Sequence, residues 1–184
     1  MKKFSISVLG QDRPGIIAAV TRVLFDQGLN IEDVSQTILQ NEFSSIFIVA
    51  GPETIEPQSL VATLEAATRN FKMHFHIREQ ELKPAKWTQS PREPFVITTF
   101  GPDQKGLVSH VTKVLADFNV NVTQLQAAFR GGDSPDRNFM IYEVDIPIDT
   151  DQQKLRETLT AKCLELKLEV SIQHKNVFEA VNRI

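Results

Sequence analysis

One cysteine, Cys163, is all the thiol chemistry that the 184 residues carry. An intrachain disulfide is therefore excluded, and the usage fits a reducing cytoplasm. Concentrated positive charge is missing too. The 20 Lys and Arg are scattered among 23 Asp and Glu, giving a net charge of -3 and a pI near 5.8. Such a chain has no field to draw it to nucleic acid or to an anionic membrane. No apolar run approaches the roughly 18 residues of a membrane span. The opening MKKFSISVLGQDR carries two lysines, but its apolar stretch ends at Gln11, Asp12 and Arg13, so it does not read as a signal peptide. What is present, 41% hydrophobic and 23% charged residues, is the composition of a soluble globular protein. The expected location is cytoplasmic.

The chain repeats itself. Offset by 91 residues, FSISVLGQDRPGIIAAVTRVLFDQGLNIEDVSQTIL (4–39) lies on FVITTFGPDQKGLVSHVTKVLADFNVNVTQLQAAFR (95–130) without a gap. Phe4/Phe95, Ile6/Ile97, Gly10/Gly101, Asp12/Asp103, Gly15/Gly106 and Asn30/Asn121 are among the identical pairs. An internal duplication decides the domain count. Two domains follow, 1–82 and 94–184, with a proline-rich, charged linker at 83–93.

Each repeat shows the same order of elements. FSISVLG and FVITTFG alternate and are rich in β-branched or aromatic residues, so they are strands. Ile16, Val20, Val23 and Leu24 fall on one helical face, as do Leu107, Val111, Val114, Leu115 and Phe118. Pro14 suits a first helical turn. Gly28 and its counterpart Asn119 are the residue types that best tolerate a left-handed helix stop. Strands are expected at 30–39, 43–50, 121–130 and 138–146, the second pair joined by GGDSPDRN. A second helix follows, with Leu60, Leu64, Ala67 and Phe71 in phase, and Leu155, Leu159, Cys163 and Leu166 in the other repeat. MHFHIRE and LEVSIQHK close the units as strands. The fold class is α+β: two ferredoxin-like βαββαβ units, each an antiparallel sheet with both helices on one face.

The segment GQDRPGIIAAVTRVLFDQGLNI (10–31) resembles the ACT domain, a small ligand-sensing module found on enzymes and regulators of amino-acid metabolism. A glycine-containing turn between the first strand and first helix is followed, 15 residues after Gly15, by Asn30-Ile31. The second repeat keeps that interval from Gly106 to Asn121-Val122. Two ACT units without an attached enzyme are similar to the glycine cleavage system transcriptional repressor group. The resemblance implies that small amino acids bind between modules paired side by side. The contacts it implies come from the turn of one module, Asp12, Arg13, Pro14, Gly15 and Ile16 or Asp103, Gln104, Lys105, Gly106 and Leu107, and from the asparagine that opens the second strand of its neighbour, Asn30 or Asn121. The chemistry suits a zwitterion independently of the family. A helix N-terminus seats a carboxylate, glycine leaves room for it, and asparagine both donates and accepts. Asp12 and Asp103 stand where the family often has an amide. Each is free either to pair with a ligand ammonium or to cap its own helix. The turns also serve equally as plain caps with no ligand. Arg13-Pro14 makes the first turn stiffer than Gln104-Lys105, so the first site is expected to be the tighter.

Other chemistry finds little footing. His74 and His76 share one strand face but lack further ligands, so no metal site is read. Cys163 is in phase with core leucines and reads as packing rather than as a nucleophile. RGGDSPDR lies between strands, not before a helix, and is no phosphate loop. Trp87 pins the linker or anchors a partner. No catalytic residues and no cofactor are implied. The expected function is a non-catalytic regulatory protein that senses a glycine- or serine-like amino acid and acts through a protein partner, a transcription regulator or a metabolic enzyme. The alternatives are a ligand-free adaptor and a detached regulatory subunit of an amino-acid metabolic enzyme. Neither direct nucleic-acid binding nor membrane association is expected, and homodimerisation is left open.

Overall fold

The computed structural model describes residues 1–80, 90–128 and 138–182, which fall into two compact units, Met1–Pro84 and Ala85–Ile184. Trp87 and the rest of 81–89, together with RGGDSPDR, lie outside the described residues. Arg92 and Glu93, expected in the linker, already belong to a strand.

The first unit runs β1 (Lys2–Gln11), α1 (Ile16–Asp26), β2 (Asn30–Leu39), β3 (Glu42–Gly51), α2 (Pro57–Ala67), a 3-10 turn at Arg69–Phe71, and β4 (His74–Glu79). Its four strands are antiparallel in the order β2-β3-β1-β4. The second unit runs β5 (Arg92–Gly101), α3 (Leu107–Asp117), β6 (Asn121–Ala128), β7 (Asn138–Pro147), α4 (Gln152–Glu165), β8 (Glu169–His174) and α5 (Lys175–Asn182), with strand order β6-β7-β5-β8. The two units are thus tandem ferredoxin-like folds.

Alternation along the central strands decides which side chains meet the helices. Phe4, Ile6 and Val8 of β1 and Phe43, Phe47 and Val49 of β3 point inward. They close on Ile16, Val20, Val23 and Leu24 of α1 and on Leu60 and Leu64 of α2. The second core repeats the plan with Phe95, Ile97, Met140, Tyr142 and Val144 under Leu107, Val111, Leu115, Leu155, Leu159 and Cys163. Fully burying each large apolar side chain contributes about 1.5–3 kcal/mol.

Both left-handed helix stops are present, Gly28 at φ 71° and Asn119 at φ 56°. Three local expectations need correction. Pro14 precedes the helix, because α1 begins only at Ile16. Ala67 is exposed; Thr68 is buried in its place, with its hydroxyl donating to the Leu64 carbonyl at 2.7 Å. The second unit also continues past its closing strand into α5, an element that the reading of the repeats does not include.

Candidate functional site

The turns at the head of α1 and α3 are built alike. Gly15 (φ 98°, ψ -8°) and Gly106 (φ 87°, ψ 3°) have the third-position geometry of a type II turn, which an L-residue adopts only with strain. Pro14 occupies the second position, where its fixed φ is favoured, and Lys105 takes that place in the other unit. Pro14 therefore stiffens a shape that both turns reach.

Each helix starts directly after its glycine, with no side-chain cap. The N–H groups of Ile16 to Ala18 and of Leu107 to Ser109 have no backbone partner among the described residues; the first bonds back are Ala19 N–H to Gly15 and His110 N–H to Gly106. Asp12 and Asp103 are exposed, and neither carboxylate makes a hydrogen bond or ion pair among the described residues. Of the two roles open to these acids, helix capping is not the one adopted. Asp12 instead ties its turn to the neighbouring hairpin through its backbone N–H, which donates to the Asn41 carbonyl at 2.8 Å.

Arg13, Pro14 and Gly15 are exposed, while Ile16 is buried in the core, as Leu107 is in the second unit. Gln104, Lys105, Gly106 and Leu107 border an open depression of about 680 Å³ that also touches Val108, Ser109 and Thr112 on the flank of α3. Asn121 lies elsewhere, in a depression of about 240 Å³ with Arg92, Ala116, Asn119 and Val120. Arg92 donates to the carbonyls of Asn119 (3.0 Å) and Asp145 (3.2 Å), which fixes the approach to β6. Asn30 is exposed at the head of β2. Within the second unit, therefore, the turn and the asparagine do not share a depression.

A feature absent from the sequence reading lies beside each asparagine. β2 bulges between Ile31 and Asp33, and β6 between Val122 and Gln124, at positions 91 residues apart. A bulge re-aims the side chains around it and increases the local twist. It places the Glu32 carboxylate 2.7 Å from the Lys3 ammonium, and the Thr123 hydroxyl donates to the Glu143 carbonyl at 3.1 Å. The two bulged sequences share no residue, so only the backbone carries the signal.

The remaining candidates stay apart from this site. His74 and His76 are exposed on β4, and no cluster of three or more metal-ligating residues occurs among the described residues. Cys163 is fully buried, and burial pushes its thiol up to about 11, far from a reactive thiolate. No helix among the described residues is long and apolar enough to cross a membrane.

The ACT domain family model matches residues 3–78 and 93–173, the two units in turn. A UPF0237 protein of Methanocaldococcus jannaschii is 47% identical over 49 residues, 27% of this chain, and the chain spans only 54% of that relative's length. A UPF0237 protein of Methanococcus maripaludis is 34% identical over 93 residues, covering 50% of this chain and 99% of its own. Among solved structures, a protein of unknown function from Galdieria sulphuraria superposes over 94% of this chain and 98% of its own, with TM-score 0.77 and 21% identity. A candidate glycine cleavage system transcriptional repressor superposes over 94% of this chain and 96% of its own, with TM-score 0.69 and 20% identity. At those identities the two structures establish a shared fold.

Proposed function

This chain belongs to the ACT domain family, and on that premise we propose that it is a non-catalytic regulator that senses a small amino acid and passes its state to a protein partner. The observation that carries the reading is the duplicated turn. In both units a left-handed glycine delivers an uncapped helix N-terminus to the surface, with an unpaired carboxylate three residues before that glycine. Unpaired N–H groups and the helix dipole suit a ligand carboxylate, and Asp12 or Asp103 suits its ammonium. Asn30 and Asn121, each beside its bulge on an edge strand, would complete the site in a paired module. Transcriptional control of amino-acid metabolism is the setting supported by the fold shared with the candidate glycine cleavage repressor.

A rival adaptor reading draws on one feature of the first unit. Val34 and Ile38, on one face of the edge strand β2, are each 49% exposed, an apolar pair suited to another protein surface. Thermal shift of the intact chain against the twenty amino acids separates the two readings. A rise in Tm with one or a few related small amino acids is expected of a sensor. A flat response to all twenty supports the adaptor.

A further inference from the structure

Inside their cores the two units differ at one end of the sheet, and the difference is polar. Val8 and Phe43 are 1% and 2% exposed and belong to the first apolar core. Thr99 aligns with Val8 at the 91-residue offset, and Asn138 pairs with Gly101 as Phe43 pairs with Gly10. Thr99 and Asn138 are each 1% exposed. The Thr99 hydroxyl and both amide atoms of Asn138 nevertheless have no hydrogen-bond partner among the described residues. Buried polar groups are almost always paired, and leaving one unpaired is unfavourable. The first unit shows that this fold accepts hydrocarbon at both places.

Their position gives the anomaly a direction. Burial alternation puts Thr99 and Asn138 on the helix-facing side of the sheet, in line with Ile97, Met140 and Tyr142. They stand near the end of β5 from which the turn to α3 departs, and Leu107, the first residue of α3, belongs to the same core cluster as Ile97, Met140 and Tyr142. α3 is an eleven-residue helix whose leading N–H groups, Leu107 to Ser109, lack backbone partners among the described residues. Asp103 and Lys105 are exposed on the same turn.

We propose that Thr99 and Asn138 form the floor of the second unit's ligand site, and that the ligand is a small amino acid whose own side chain carries a hydroxyl or an amide. The proposal rests on the sensor reading above and deepens it. The carboxylate is received by the head of α3 and Lys105, the ammonium by Asp103, and the ligand's side chain by the buried pair. Asn138 offers both a donor and an acceptor, and Thr99 offers a hydroxyl, so the pair reads either group. A floor that needs a hydrogen bond rejects an analogue lacking the group, because that analogue leaves it unpaired. Reaching the floor requires the turn to lift, and one side-chain bond pins it: Gln104 Nε2 donates to the Leu166 carbonyl at 2.5 Å. With Val8 and Phe43 in place, the first unit cannot make this distinction. Selectivity thus sits in the unit with the less rigid turn sequence.

Calorimetry on the full chain, with L-serine and L-asparagine as probes and L-alanine and glycine as controls, tests this. At least one probe should bind about tenfold tighter than L-alanine, the effect of one good hydrogen bond. Preference for serine assigns the hydroxyl, and preference for asparagine the amide. Thr99→Val and Asn138→Leu should each reduce the preferred probe to the affinity of alanine while raising Tm, since each removes an unpaired buried group. If Asn138→Leu does not fold, the near-isosteric Thr99→Val decides alone. Binding of all four with equal affinity, or a preference that survives the substitutions, overturns the floor and leaves the sensor reading standing. Silence from both probes while some other amino acid raises Tm likewise overturns only the floor. Silence from all twenty overturns both.

Discussion

At equivalent places in the two sheets the first unit buries Val8 and Phe43 and the second buries Thr99 and Asn138. In the two turns, Arg13-Pro14 of the first unit corresponds to Gln104-Lys105 of the second. The backbone around these differences is unchanged: left-handed Gly15 and Gly106, left-handed Gly28 and Asn119, and bulges after Asn30 and Asn121. Duplication has preserved what the chain's path requires and has varied side chains of the turn and of the core. A unit that only held its partner in place would have no use for unpaired polar groups in its core. This contrast between the two units yields predictions that break it or sharpen it.

The largest effect tests the shared scaffold. Leu24 and Leu115 are aligned and fully buried in the separate cores. Leu24→Ala and Leu115→Ala should each destabilise the unit that holds them by about 2–5 kcal/mol, measured by scanning calorimetry. A loss in only one of the two variants would show that the cores are not packed alike.

Alkaline pH should separate the units next. The chain's single tyrosine and single cysteine are both in the second core. Burial pushes the Tyr142 hydroxyl up to about 12 and the Cys163 thiol up to about 11. Both groups hold their protons more tightly folded than unfolded, so this stabilisation is whole below about pH 9 and is lost as pH rises through 11 and 12. Methyl NMR signals of the second unit should collapse within that window before those of the first. Tyr142→Phe should narrow the gap. Simultaneous loss in the two units would contradict the contrast.

The asparagines come third. In the proposed site, Asn30→Ala and Asn121→Ala would each remove a hydrogen bond to a charged ligand, worth about 1.5–3 kcal/mol. Binding of whichever amino acid raises Tm should weaken roughly 10- to 150-fold at the affected site. Unchanged affinity in both variants, read by calorimetry, would remove the asparagines from the site.

The smallest effect concerns the turns. Gly15→Ala and Gly106→Ala force an L-residue to φ 98° and 87°, a cost of about 1–2 kcal/mol. A new Cβ would meet only ordinary contacts, the Phe71 ring or the His110 ring at 3.5 Å. The penalty should therefore be nearly the same in both units, despite Pro14. A penalty much larger in the first unit would restore proline stiffness as the difference that matters.

The helical faces, the strand order within each repeat and the left-handed stops were legible because periodicity and residue type express them directly. Ile16, Val20, Val23 and Leu24 are buried as their spacing predicts. Thr68 was not legible as a buried position: it continues the i, i+4 spacing of Leu60 and Leu64 and keeps the helical bond to Leu64, but a hydroxyl residue does not read as core. The bulges were hidden because Glu32 and Thr123 share no chemistry. Nor did the asparagines reveal that, in the second unit, Asn121 opens a depression of its own away from the turn. The Thr99 difference was visible in the aligned repeats, yet its meaning depends on burial. Asn138 could be matched to Phe43 only through sheet register, since the hairpin loops differ in length.

Ligand recognition by the duplicated turns is read most directly from backbone amide chemical shifts of the intact chain titrated with the amino acid that raises Tm. The account predicts saturable shifts concentrated at Asp12 to Ile16 except Pro14, which has no N–H, at Asp103 to Leu107, and at Asn30 and Asn121. Saturable shifts confined to other surfaces, with these residues still, would contradict it.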